Sequence, residues 1–295
     1  MSSSEALPRA PGGPAAAYPA ARPRRAVSSR LLRSELALVF RRRRNQALLV
    51  ALAGIPVLVG VAVRLSAPHA GEGPAFLGQI TQNGLFLAFT ALVVAVPFFL
   101  PLALAVVAGE SVAGEAGTGT LRYLLTVPAS RPRLLAVKYA GIVAYAVAAA
   151  GVVALTGILV GLALFPVGPV TLLSGATIGV AESLLRAGLV AAYVAAMLAG
   201  LGAIGLFVST LTEVPVGAMA ATAALAVAAQ ILDVLPQLRS IQPYLFSHRW
   251  LAFGDLLRTP IAWHEVTLGL VTQAVYIGVF LALAWARLGT KDVTS

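Results

Sequence analysis

Six long apolar runs constrain this chain more than anything else in it. They fall at roughly Ala47 to Val63, Gly84 to Ala108, Val137 to Leu164, Ala187 to Val208, Val214 to Leu232 and Thr267 to Ala286. A helix needs about 20 apolar residues to cross the ~30 Å hydrocarbon core of a bilayer. The runs are continuous and do not alternate, which rules out half-buried strands. Only 11% of the 295 residues are charged, against about a quarter in a soluble domain. The expected class is an all-α integral membrane protein with six transmembrane helices. Val170 to Val180 is apolar but too short to span, and it is expected to be an interfacial or re-entrant piece on the outer side.

Charge sets the expected orientation. Ten of the 21 basic residues precede residue 45. The connector between spans two and three adds Arg122, Arg131, Arg133 and Lys138, and the tail adds Arg287 and Lys291. Leu65 to Thr81 and Pro166 to Leu185 carry no Lys or Arg, and Gln237 to Glu265 carries Arg239, Arg249 and Arg258. The positive-inside rule therefore places both termini and the connector in the cytoplasm of a cell-membrane protein. The net charge of +10 reads as topology, and no nucleic-acid partner is expected.

Residues 1–27, rich in Pro, Ala, Gly and Ser, are expected to form a disordered cytoplasmic tail and not a signal peptide. Residues 28–44 are expected to form an amphipathic helix on the cytoplasmic surface. Ser28 or Ser29 would cap it, Leu32, Leu36, Val39 and Phe40 would line one face, and Arg30, Arg33, Ser34 and Arg41 would point away. Residues 45–295 would hold the six spans. Pro97 and Pro101 should kink the second span. Gly157 with Gly161, and Gly200, Gly202 and Gly205, should allow close helix contact within the subunit.

Much chemistry is missing. No Cys is present, so there is no thiolate site. Lys138 follows Val137 and Lys291 follows Thr290, so neither completes a phosphate-binding P-loop. His264-Glu265 begins an HExxH zinc motif, but Leu268 stands where the second His is needed. Neither a metal nor a cofactor is expected. Arg64, Glu182, Arg186 and Asp233 fall at span ends, where they could snorkel. A mid-bilayer charge costs about 2.5 to 3.5 kcal/mol on insertion scales, and its absence weighs against an ion-coupled transporter. Glu182 and Arg186 have ExxxR spacing, read as an i,i+4 ion pair and not as a protease motif.

The polar connector Gly109 to Gly141 carries the information. Gly117-Thr118-Gly119-Thr120 reads as a turn with a cap at Thr118 or Thr120. A short amphipathic helix should follow from Leu121 to Thr126, stopped by Pro128. Ser130 should cap the next helix, with Pro132 in its first turn, and that helix should run through Lys138 into span three. Glu115 is read as lying near a helix start, where the dipole suits an anion.

The run Glu115-x-x-x-Gly119-Thr120-Leu121-x-x-Leu124-Leu125-x-x-Pro128-x-Ser130-Arg131, followed by Lys138, resembles the connector of ATP-binding cassette transporter permeases of the type-2 export class. Val137 stands where that pattern has Gly. The turn Ser209 to Pro215, the Pro-containing segment after span five and the tail with Asp292 also resemble the family. The resemblance implies that the connector is a coupling helix docking on a separate cytoplasmic ATP-binding cassette subunit. Leu121, Arg122, Leu124 and Leu125 would be its contacts, Glu115 and Arg131 its anchors, and Gly119, Thr120 and Pro128 its turns. It also implies a dimer with a second permease copy or a paralogue. On this reading the chain is a transporter subunit and not itself an enzyme. Two other readings stand beside it, an intramembrane hydrolase using Glu182 and a non-transporting membrane scaffold. The apolar spans mildly favour a hydrophobic cargo.

Overall fold

The computed structural model describes residues 26–66, 80–81, 83–117, 131–172 and 174–290. The expected disordered tail lies almost wholly outside the described residues, as do the turn at Thr118 to Thr120, the short helix Leu121 to Thr126, Pro128, the cap Ser130, and the tail residues Lys291 and Asp292.

Eight α-helices and one small hairpin make up the described fold. They are α1 (Ala26–Arg41), α2 (Arg43–Ser66), α3 (Phe86–Ala95), α4 (Phe99–Gly117), α5 (Arg131–Leu164), β1 (Val170–Thr171), β2 (Thr177–Ile178), α6 (Val180–Leu211), α7 (Pro215–Val234) and α8 (Trp263–Thr290). Three 3-10 helices, Pro236–Leu238, Gln242–Tyr244 and Ala252–Leu257, fill the connection from α7 to α8. Six helices (α2, α4, α5, α6, α7 and α8) are long and apolar enough to cross a membrane. The fold is the all-α integral membrane architecture expected from the apolar runs.

The second span is broken where its prolines predict. Pro97 lies in the turn between α3 and α4, and Pro101 lies in the first turn of α4. A proline removes one ladder donor and crowds the preceding carbonyl; Gln230 of α7 donates to the freed Pro97 carbonyl at 3.3 Å. The two pieces still make one crossing. Gly84 sits backbone to backbone against Gly161, Ala88 against Gly157, and Glu115 pairs with Lys138, so α3 and α4 follow α5 antiparallel from end to end. The expected tight packing of Gly157 and Gly161 is thus internal. Gly202 packs against Ile142, and Gly205 against Ala108 and Thr222, also within the chain. The helix α6 is the central one, with most of its length buried by neighbours.

Several boundaries differ from the sequence reading. Helix α1 begins at Ala26, so Ser28 and Ser29 lie inside its first turn and do not precede it. That turn's free N–H groups can be served by water instead of a cap. The short apolar segment Val170 to Val180 holds two paired strands. It is a hairpin with Val170 opposite Ile178 and Thr171 opposite Thr177, turning at Gly175 with φ +79, a conformation in which glycine carries no Cβ penalty. Val170, Leu172 and Ile178 are buried, so the hairpin closes one end of the bundle by packing. This is the hairpin end; the end where α4 stops and α5 starts is the connector end.

Candidate functional site

The connector's two stalks are the last turns of α4 and the first turns of α5. Helix α4 continues nine residues past Ala108, to Gly117. Glu115 therefore lies at a helix C-terminus and not near a start. The dipole there repels an anion, and a cation offsets it. Lys138 Nζ lies 2.7 Å from Glu115 Oε1 and 3.6 Å from Glu35 Oε1 of α1. The Lys138 side chain is only 2% exposed. A charge so far from water is costly to bury unless it is paired, and here two carboxylates from two helices serve it. Helix α5 starts at Arg131 and runs through Lys138 into the span with Pro132 in its first turn, as the sequence predicts. Val137 is buried beside it.

A second ion-pair group stands next to the first. Glu110 of α4 pairs with Arg42 at 2.6 Å and with Arg44. Arg42 is the residue between α1 and α2. The bend there is held by side-chain amides: Asn45 donates to the Val39 carbonyl at 2.8 Å and Gln46 to the Phe40 carbonyl at 3.0 Å. These carbonyls belong to the last turn of α1, where no helical N–H is available. Glu35, Arg42, Asn45, Glu110, Glu115 and Lys138 line one small cavity together with apolar Leu38, Val39, Val107 and Ile142.

The expected amphipathic stripe of α1 is present. Val39 is buried and Leu32, Leu36 and Phe40 are half-buried, while Arg30, Arg33, Ser34 and Arg41 are exposed. The covered face meets α5: Phe40 lies 6.3 Å from Tyr145 ring to ring, and a Cβ on Gly141 would touch Val39 and Glu35. The sequence reading missed Glu35. Its spacing from Leu32 and Val39 places it on the same face, and an acid inside an apolar stripe is the signal that it has a partner. Glu110 falls inside the connector range Gly109 to Gly141, where no spacing assigns it a partner.

Ser209, the start of the turn Ser209 to Pro215 in the sequence reading, lies within the last turn of α6, which runs to Leu211. Its hydroxyl accepts from Val112 N at 3.0 Å and Ala113 N at 2.8 Å and donates to the Gly109 carbonyl at 2.7 Å. It is inserted into the hydrogen-bond ladder of α4, a recognised cause of helix bending. Gly109 allows the approach, since a Cβ there would meet Met219 N of α7 at 2.6 Å. Helix α4 is therefore locked to α6 and α7 by backbone contact, but joined to α1, α2 and α5 at this end by charges.

Of the sequence-predicted site, the described residues include Glu115 and the backbone of Arg131. Gly119, Thr120, Leu121, Arg122, Leu124, Leu125 and Pro128 lie outside them. Among the described residues, the partner of Glu182 is Arg186. Arg186 Nη2 pairs with Glu182 Oε1 at 2.7 Å, as the i,i+4 spacing predicts. Arg186 does not snorkel, however. It is 6% exposed and donates to the Leu256 and Arg258 carbonyls at 2.9 and 2.8 Å and to Thr259 Oγ1 at 3.1 Å. Asp233 is likewise engaged, 2.5 Å from His248 Nδ1. These charges fasten the α7–α8 segment because that segment folds back over them. Among the described residues no group of three or more metal-ligating side chains forms.

Residues 39–228 match the family model described as ABC-2 family transporter protein. No curated protein matches the chain.

Proposed function

Since the chain belongs to the ABC-2 transporter family, and so is a multi-pass membrane permease component, we propose that it couples ATP hydrolysis on a separate cytoplasmic subunit to substrate translocation. The observation that carries this reading is the Glu115–Lys138 pair, 2.7 Å apart. It clamps together the two helices from which residues 118–130 emerge. A segment mounted on clamped helical stalks passes an applied force into both spans instead of absorbing it as loop motion.

In this reading residues 118–130 form the coupling element. Leu121, Arg122, Leu124 and Leu125 meet the ATPase subunit, Gly119, Thr120 and Pro128 shape the turns, and Glu115 and Arg131 anchor the ends. Both termini and the connector are cytoplasmic, in the cell membrane. Exposed Arg30, Arg33, Arg41 and Arg43 at the connector end support that orientation. At the opposite end Arg249 is paired with Glu265 and Arg258 with Asp255. A second permease copy or a paralogue completes the pathway.

The test is purification from the native membrane in mild detergent, with partners identified by mass spectrometry. Recovery of a stoichiometric ATP-binding subunit, lost in Leu124→Asp while membrane insertion persists, is the expected result. An inserted Leu124→Asp variant that retains its partner and ATP-dependent transport would sink the coupling assignment.

A further inference from the structure

Helices α1, α2, α4 and α5 meet around the small cavity at the connector end, and its hydrogen bonding is incomplete. The cavity volume is about 20 Å³, and roughly 10 to 15 Å³ is enough for one water molecule. Asn45 of α2 lines it and is 2% exposed. The Asn45 amide N–H donates to the Val39 carbonyl at 2.8 Å. This fixes the amide's orientation, because the flipped group would set oxygen against oxygen. Asn45 Oδ1 is then a buried acceptor with no donor among the described residues. Leaving such an atom unserved is costly.

A second gap lies on the same cavity. Lys138 Nζ is 2.7 Å from Glu115 Oε1 but 3.6 Å from Glu35 Oε1, past the roughly 2.7 to 3.2 Å of an N–H···O bond. A polar pair at that separation is commonly completed by a bridging water. Charge narrows the choice of occupant. Glu35, Glu110 and Glu115 are matched by Lys138, Arg42 and Arg44. A further cation would face Lys138 and Arg42, and an anion would face three carboxylates and Asn45 Oδ1. The Ser111 hydroxyl is not the missing donor, since it donates to the Ala108 carbonyl at 2.7 Å. A small neutral molecule with two donors and an acceptor serves all of these groups.

We propose that this cavity binds one water molecule, which donates to Asn45 Oδ1 and to the Glu35 carboxylate and accepts from Lys138. Among the described residues no direct hydrogen bond joins Asn45 to Lys138. The water supplies that link. The α1–α2 bend, held by Asn45, and the stalk clasp, held by Lys138, thereby become one unit, and loosening either loosens the other. The inference needs no coupling role for the connector.

The test uses the full chain in nanodiscs, with X-ray radiolysis of bound water read as side-chain oxidation by peptide mass spectrometry. Ile142, on the cavity wall and 1% exposed, should be oxidised several-fold more than Ile204, which is 3% exposed on α6. Val107→Leu adds a methylene to the cavity wall and should bring Ile142 down to the Ile204 level. Val39→Leu serves as the second variant if the first does not fold. In detergent unfolding, Asn45→Leu and Lys138→Met together should lose less stability than the sum of the two single losses, because each removes the same bridge. Equal oxidation of Ile142 and Ile204, oxidation unchanged in a folded cavity-filling variant, or additive losses would overturn the site. Greater stability in sodium chloride than in choline chloride of equal concentration would assign the cavity to a cation and overturn it as well.

Discussion

The two ends of the bundle are fastened by different chemistry. At the hairpin end, the contacts between residues farthest apart in the chain end on backbone, beside the Arg249–Glu265 and Asp233–His248 pairs. Gly84 N donates to the Pro166 carbonyl at 2.9 Å, Asn83 to the Gly168 carbonyl at 2.6 Å, Tyr193 to the Arg249 carbonyl at 2.8 Å, and Arg186 to two carbonyls as above. Trp250 and Phe253 are buried beneath them. At the connector end α1, α2 and α5 meet α4 through side-chain charges: Glu35, Lys138 and Glu115, and Arg42, Arg44 and Glu110. Main-chain acceptors do not move without local unfolding. Ion pairs between flexible side chains can exchange partners while the helices stay intact. The hairpin end is built as a fixed base, and the connector end as a set of clasps around the segment proposed to receive force.

Perturbations can break or sharpen this contrast. The largest effect is expected at the hairpin end, where Gly161→Leu would drive a side chain into the Gly84 backbone. The expected loss exceeds about 4 kcal/mol, read as failure to elute as a monodisperse species. Gly151→Leu, with open space around it, should elute normally. An equal failure there would show that the backbone contact is not the cause.

Arg186→Met comes next. It leaves the buried Leu256 carbonyl and the part-buried Arg258 carbonyl without their donor and should cost about 3 to 4 kcal/mol, at about 1 to 3 kcal/mol per unsatisfied group, in detergent unfolding experiments. Lys138→Met should cost less, about 2 to 3 kcal/mol, because Glu35 and Glu115 keep some water contact at 15% and 16% exposure. If Lys138→Met proved the more damaging, the assignment of fixed base and movable clasps would be reversed.

Glu110→Gln should be the mildest. Its Arg partners are about 40% exposed, so the expected cost is about 0.5 kcal/mol, shrinking further in high salt. A salt-independent cost would place that pair with the buried group instead. In a transport assay with the ATPase partner, Glu115→Gln should reduce flux more than it reduces stability. Equal reductions would make the Glu115–Lys138 pair structural only.

Much of this was legible in the chain. Six apolar runs became six long helices, the apolar stripe of α1 is the side that packs on α5, Pro97 marks the break in span two, and the paired glycines of α5 pack tightly. Each of these is a local property, set by periodicity, by a missing N–H or by a missing side chain, and a window of sequence contains all of it. The partners were not legible. Glu110 finds Arg44 across 66 positions and Ser209 finds Gly109 across 100. Arg186 is buried instead of exposed only because residues 256 to 259 fold back over it. The hairpin likewise needs the bundle end beneath it to bury three apolar residues. Which helices form is settled by short-range sterics and by the bilayer's thickness. Which charges meet depends on the relative rotation and depth of helices far apart in the chain, and only their packing decides that.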